Sequence, residues 1–267
     1  MNAIGFVPFV TDVLGVTLTP AQRVLCLVAF DGMDPAQLDD DERALAVELF
    51  GSVDVVPEVA RDVVAIVAGA RSGKSYLLAL RLLHLALVVP LDTLAAGEVA
   101  FAVIVAPDTR LGRQVLRYAA GAAAETPALA GCVVSSGADR LELRRPHDGR
   151  MVRLEVLPAT RGGGAVRGRS LVGAVLDEAA FFRDAESVVN DADVYRAVAP
   201  RVVPAGQVVI GSTPWAEAGL LYDFWHNEHG APATAIVAHA PTTTMRPSMA
   251  ALVERERQRD PDNAARE

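Results

Sequence analysis

An apolar run, Val63-Val64-Ala65-Ile66-Val67, leads into Gly69-Ala70-Arg71-Ser72-Gly73-Lys74-Ser75, and an apolar, leucine-rich stretch follows from Tyr76 to Leu91. Few folds accommodate a buried strand, a glycine-bearing loop and a buried helix in immediate succession. Glycine lets a backbone wrap an anion with successive N–H groups turned inward, at the positive end of the helix that follows. Lys74 is the only lysine among 25 basic residues. An arginine bias in the composition accounts for the other 24. It does not account for a lysine placed where a phosphate-binding loop uses a slim, mobile point charge. Gly73, Lys74 and Ser75 follow the order of a phosphate loop, with lysine for the β- and γ-phosphates and a hydroxyl for Mg²⁺. One position departs from GxxxxGK[ST]: the usual first glycine falls on Ala68, with glycine displaced to Gly69.

The rest of the chain supplies the elements such a unit needs. Thr19, with Pro20 at the first helical position, predicts a short helix, and Asp39-Asp40-Asp41-Glu42 predicts the start of a second. Residues 99–105 form a β-rich run, followed by Pro107-Asp108-Thr109 and a helical stretch from Arg110 to about Ala124. Residues 141–145 and 151–157 predict a hairpin turning at Pro146-His147-Asp148-Gly149. A glycine-rich segment (161–168), a strand at Leu171–Leu176, a helix near 190–199 and a strand at Gln207–Ile210 complete the alternation. Strand, loop and helix in this order predict a mainly parallel sheet covered on both faces. We expect an α/β P-loop core over residues 1–215 and a small lid or linker subdomain over 216–267.

A second strong signal is the apolar strand that ends in Asp177-Glu178. One carboxylate can hold the water shell of Mg²⁺, and the next can polarise the water that attacks a γ-phosphate. A third strand ends in Gly211-Ser212-Thr213-Pro214, at the carboxyl end where open α/β sheets bind ligands.

Composition narrows the function. A net charge of −8 argues against coating nucleic acid by bulk basicity. Cys26 and Cys132 read as core residues of a reducing compartment. No signal-peptide pattern opens the chain, and Arg81 and His84 break its most apolar segment, which is short for a bilayer. A cytoplasmic protein with no membrane partner is expected. Guanine recognition through Asn-Lys-x-Asp needs a second lysine, which excludes a GTPase switch. His226 and His229 lack metal-site spacing and read as a helix surface. Arg140, Arg144, Arg145, Arg150 and Arg153 read as a solvated hairpin face, with a DNA or subunit contact as the alternative.

Taken together, these motifs resemble the ATPase domain of the large terminase subunit, the viral DNA-packaging motor. The resemblance runs from about Leu18 onward. It rests on Leu18-Thr19-Pro20-Ala21-Gln22, the phosphate loop, Ala106-Pro107-Asp108-Thr109, Arg167-Gly168, Asp177-Glu178 with Phe181-Phe182, and Gly211-Ser212-Thr213-Pro214. It implies a RecA-like ATPase of the class with an additional catalytic glutamate (ASCE), using ATP and Mg²⁺. By the same resemblance Gln22 would recognise adenine, and Gly69, Ala70, Arg71, Ser72, Gly73, Lys74 and Ser75 would bind phosphate. Ser75 and Asp177 would hold the metal, and Glu178 would be the catalytic carboxylate. Ser212 and Thr213 would sense the γ-phosphate, Arg71 is the candidate loop arginine, and Arg167 would be a finger reaching a neighbouring subunit's nucleotide. The implied partners are double-stranded DNA, a portal protein, a small terminase subunit and other copies in a homo-oligomeric ring, in the host cell cytoplasm. Only 53 residues follow Pro214, too few for the family's RNase H-like nuclease, so no DNA cleavage is expected of this chain. Its ending, Glu254-Arg255-Glu256-Arg257 through Pro261 to Glu267, resembles the linker into that domain. A helicase-like remodeller and a nucleotide-binding assembly module without productive hydrolysis are the alternatives.

Overall fold

The computed structural model describes residues 4–52, 62–159, 161–182 and 191–260, except the side chains of 161–163. The approach through Pro57 and Glu58 and the chain end from Pro261 to Glu267 lie outside them. The chain begins with a short turn, α1 (Phe6–Pro8), followed by α2 (Pro20–Ala29) and α3 (Asp40–Phe50). Thr19 closes a full capping box with Gln22, each side chain bonding the other's backbone N–H, as its position before Pro20 predicts. Asp39 caps α3 through the Glu42 N–H at 2.8 Å.

The expected alternation follows: β1 (Val63–Ala68), α4 (Lys74–Val88), β2 (Ala100–Ala106), α5 (Thr109–Glu125) and the single turn α6 (Pro127–Ala130). Three strands come next, β3 (Val133–Ser136), β4 (Arg140–Arg144) and β5 (Met151–Pro158), of which β4 and β5 are the predicted hairpin. The chain continues through β6 (Ser170–Asp177), α7 (Asp191–Val198), β7 (Val202–Ser212), α8 (Leu220–Glu228), β8 (Ile236–Ala240), α9 (Thr242–Met245) and α10 (Ala250–Arg259).

All eight strands join one sheet in the order β3-β4-β5-β2-β6-β7-β1-β8. The run from β5 to β8 is parallel, with the antiparallel pairs confined to the β3–β4–β5 edge. Strand alternation divides the core in two. Val64 and Ile66 face a layer built from α2, α3, α4 and α5, while Val63, Ala65 and Val67 face Val194 and Val198 of α7 and Leu220 and Leu221 of α8. Burial on both faces explains why these strands read as continuous apolar runs.

β8 was not legible in the sequence, and it lies within the stretch 216–267 expected to form a lid or linker subdomain. It pairs with β1 from Val64↔Ile236 to Ala68↔Ala240, so the second part of the chain supplies an edge of the central sheet. Helix α10, polar and without a buried residue, is the part that remains for a lid or linker.

Helix α4 is buried almost all round because it lies between the sheet and the N-terminal helices. Its polar residues have dedicated partners. Arg81 donates from Nε to Gln207 Oε1 (2.9 Å) and from Nη1 to His84 Nδ1 (3.0 Å), and His84 donates from Nε2 to the Ile4 carbonyl (2.8 Å). The guanidinium also lies over the Phe6 and Phe30 rings. Of the five hairpin arginines, Arg140 and Arg144 are exposed as read from the sequence, while Arg145 and Arg150 differ. Arg145 is buried and donates to the Val89 carbonyl, while Arg150 donates to the carbonyls of Leu91, Leu94 and Ala95. These two pin the loop after α4 and form no free basic face.

Candidate active site at the carboxyl ends of three adjacent strands

Register sets the site. Asp177, the last residue of β6, lies opposite Gly211 of β7, and Ser212 lies opposite Val67 of β1. The phosphate loop, the acidic pair and the Ser-Thr pair therefore emerge side by side. One strand, β7, separates β1 from β6.

The loop itself explains its departure from the usual glycine pattern. Ala68 is still extended β1 backbone, which alanine adopts without strain. Left-handed backbone occurs at Arg71 (φ 64°) and at Gly73 (φ 94°), the N-cap of α4. Glycine is required at 73 on a second ground: a Cβ there would stand 3.1 Å from Gln22 Nε2 and 3.2 Å from Arg246 Nη2. The loop is tied to β8 and α9, with Gly69 N–H donating to the Ala240 carbonyl and Thr242 Oγ1 to the Ala70 carbonyl at 2.7 Å.

Six of the expected site residues converge. Lys74, buried at the start of α4, donates from Nζ to Glu178 Oε1 at 2.6 Å and to Thr213 Oγ1 at 3.2 Å. Glu178 Oε2 accepts from Ser212 Oγ (3.2 Å) and from the Thr213 N–H (3.3 Å). Ser75 Oγ stands 3.3 Å from each carboxylate oxygen of Asp177. Glu178 takes left-handed backbone (φ 54°, ψ 44°), a conformation that costs a branched-chain-free residue about 1–2 kcal/mol and persists only where its surroundings hold it. Here its N–H donates to the Gly211 carbonyl at 2.7 Å, which turns the carboxylate back over β7.

Asp177 is buried, and its carboxyl is pushed up to about 6 by that burial and by the Glu178 charge, against the pull of Lys74 and Ser75. A hydroxyl and a carboxylate so placed are the oxygen donors Mg²⁺ accepts, and Mg²⁺ takes few protein ligands because it keeps its waters and binds substrate phosphates. The residues therefore fit that ion. Among the described residues no group of three His, Cys, Asp or Glu side chains could cage a metal. His226 instead stacks on Tyr222, and His229 bonds the Leu49 carbonyl.

Gln22 and Arg167 stand apart from the six. The Gln22 amide is buried outside the loop, accepting from the Thr19 N–H at 3.1 Å and donating to the Ser72 carbonyl at 3.4 Å. Arg167 is exposed in the turn before β6 and has no ion-pair partner among the described residues. Arg71 is exposed at the crest of the loop. Thr242 and Arg246 were missed by sequence reading, since only the closure of the sheet by β8 brings them to a loop about 170 residues earlier.

Sheet order, loop and paired carboxylates define a P-loop fold of the class with an additional glutamate. No protein-family model matches the sequence, and no curated protein matches it. Solved structures do. The large-terminase ATPase domain of Thermus phage P74-26 superposes with a TM-score of 0.57 at 18% identity, over 85% of this chain and 96% of that one. The large terminase of a thermophilic bacteriophage, in complex with ADP, gives 0.51 at 15% identity, over 74% of this chain and 45% of that one. The chain has the fold of phage large-terminase ATPase domains.

Proposed function

We propose that this chain is the ATPase motor domain of a phage large terminase, hydrolysing ATP to drive double-stranded DNA into a procapsid. The observation that carries the reading is the convergence of Lys74, Ser75, Asp177, Glu178, Ser212 and Thr213 at three adjacent strand ends, within a fold shared with such domains. The Lys74–Glu178 pair holds both groups away from chemistry until a nucleotide arrives. Phosphate oxygens draw the Lys74 ammonium from Glu178, and Oε1 is then free to accept a proton from the attacking water. Ser212 and Thr213 keep hold of the other carboxylate oxygen, so the position of Glu178 and the state of the phosphate become coupled through β7. Mg²⁺, held by Ser75 and through water by Asp177, would neutralise charge on the β- and γ-phosphates.

In this reading Arg167 acts in trans, its exposed guanidinium stabilising charge on a neighbouring subunit's nucleotide within a homo-oligomeric ring. Gln22 positions adenine from beside the loop, and Arg71 contacts phosphate from its crest. Portal protein and the small terminase subunit are the proposed partners, and the host cytoplasm the proposed location. In the structure no helix among the described residues is long and apolar enough to cross a membrane. The test is ATP turnover against protein concentration, with and without double-stranded DNA. Specific activity should rise with concentration in the wild type and stay low in Arg167→Ala. A rate that is flat with concentration and indifferent to Arg167 would overturn the trans finger.

A further inference from the structure

The segment that follows β8 lies against the phosphate loop and is fastened there at several points. The Ala240 carbonyl accepts from Gly69 N–H, Thr242 Oγ1 donates to the Ala70 carbonyl, and the Met245 carbonyl accepts from Thr19 Oγ1 at 2.8 Å. Its last residue, Arg246, is half-buried. The guanidinium meets Gly73, with Nη2 and Nε 3.2 and 3.3 Å from the place a Cβ would take. Gln22 Nε2 stands 3.1 Å from the same point. Three nitrogen donors thus converge on the glycine that precedes Lys74.

What they lack is an acceptor. The Arg246 guanidinium has no carboxylate or hydrogen-bonding partner among the described residues, and Gln22 Nε2 has one long bond to the Ser72 carbonyl. Ser72, fully buried in the same loop, has a hydroxyl with no partner among the described residues. A guanidinium with no carboxylate partner, set against the N-cap glycine of α4 and next in line to Lys74, is unfavourable without an anion, since the positive helix end and a like charge oppose it. No salt bridge elsewhere explains its place. We propose that Arg246 is a nucleotide-binding residue acting in cis, its guanidinium paired with the diphosphate of the nucleotide held by the loop. The inference rests on reading the loop as a nucleotide site and adds a cation that the loop motif does not contain.

The test is calorimetric titration of the whole chain with ADP and Mg²⁺, comparing wild type, Arg246→Ala, Arg246→Lys and Lys74→Ala. A charge-assisted contact of this kind predicts that Arg246→Ala weakens ADP about ten-fold or more, with partial recovery in Arg246→Lys. Displacement of ADP by inorganic pyrophosphate should weaken in the same proportion. The melting temperature without nucleotide should not fall, because the guanidinium bonds nothing among the described residues. Wild-type ADP affinity in Arg246→Ala, with Lys74→Ala impaired, overturns this inference and leaves the site reading intact. Unchanged pyrophosphate affinity overturns the phosphate contact, and a melting temperature that falls in both Arg246 variants assigns the side chain a structural role instead. Wild-type affinity in Lys74→Ala overturns the reading of the loop itself.

Discussion

Glu178 is the residue on which the proposed chemistry turns, and its surroundings are unusually specific. Three donors from two elements (Lys74 of α4, and Ser212 with the Thr213 backbone at the end of β7) hold a carboxylate whose own backbone is left-handed. Glu178→Gln keeps the shape and removes the base, so turnover should fall by about 10²- to 10⁴-fold. His84 gives a second prediction at this scale. Burial, reinforced by the Arg81 charge, pushes its ring down to about 3 from an ordinary value of 6.5. Between those values the unfolded chain takes up a proton that the folded chain refuses, so stability is full above pH 6.5 and is lost as pH falls. Replacing the ring by His84→Gln removes that pH-dependent loss, which at pH 5 approaches about 2 kcal/mol. Urea midpoints at pH 7 and pH 5 should therefore diverge more for the wild type than for the variant. An equal shift in both would show that the buried imidazole does not set the acid sensitivity.

Among the elements, β7 shows why close packing and irregular backbone meet near the site. A Cβ at Gly211 would approach Leu78 Cδ1 at 2.7 Å, so glycine lets α4 lie near the strand that carries Ser212. Further back, at the bulge where β6 and β7 change register, Ala205 has φ 65° and a Cβ at Gly206 would meet the Val172 and Val203 carbonyl oxygens at 2.8 and 2.9 Å. Backbone cannot move aside as a side-chain tip can. Gly206→Ala should cost about 1–3 kcal/mol in chemical denaturation, while Ala205→Gly, which relieves left-handed strain, should be neutral or stabilising by up to about 1 kcal/mol. The opposite order would contradict the bulge. These same elements mark what the sequence could reveal. β1, β2 and β6 were legible because burial on both faces leaves long apolar runs, and α2 because its capping box is local. β8 was hidden because a five-residue edge strand containing His239 has no periodicity distinct from a loop. Arg145 and Arg150 misled because sequence shows their charge but not the Val89 and Leu91 carbonyls they cap.

For the molecule as a whole, the site is assembled by topology. Residues 22, 74, 177, 212 and 246 come from separate parts of the chain and meet only because β7 inserts between β1 and β6 and β8 closes the far edge. Motif order singled out the first four, since each lies at a strand or helix end with its own local signature. Arg246 has none. Arg167 and Arg71 are both exposed, as the proposed contacts with a neighbouring subunit's nucleotide and with phosphate require. The proposed division of labour has Lys74 bind phosphate and Glu178 activate water, and steady-state ATP turnover measured beside ATP affinity in Glu178→Ala decides it. The prediction is retained or tightened ATP binding with turnover reduced at least about 10²-fold. Turnover close to wild type in Glu178→Ala would contradict it.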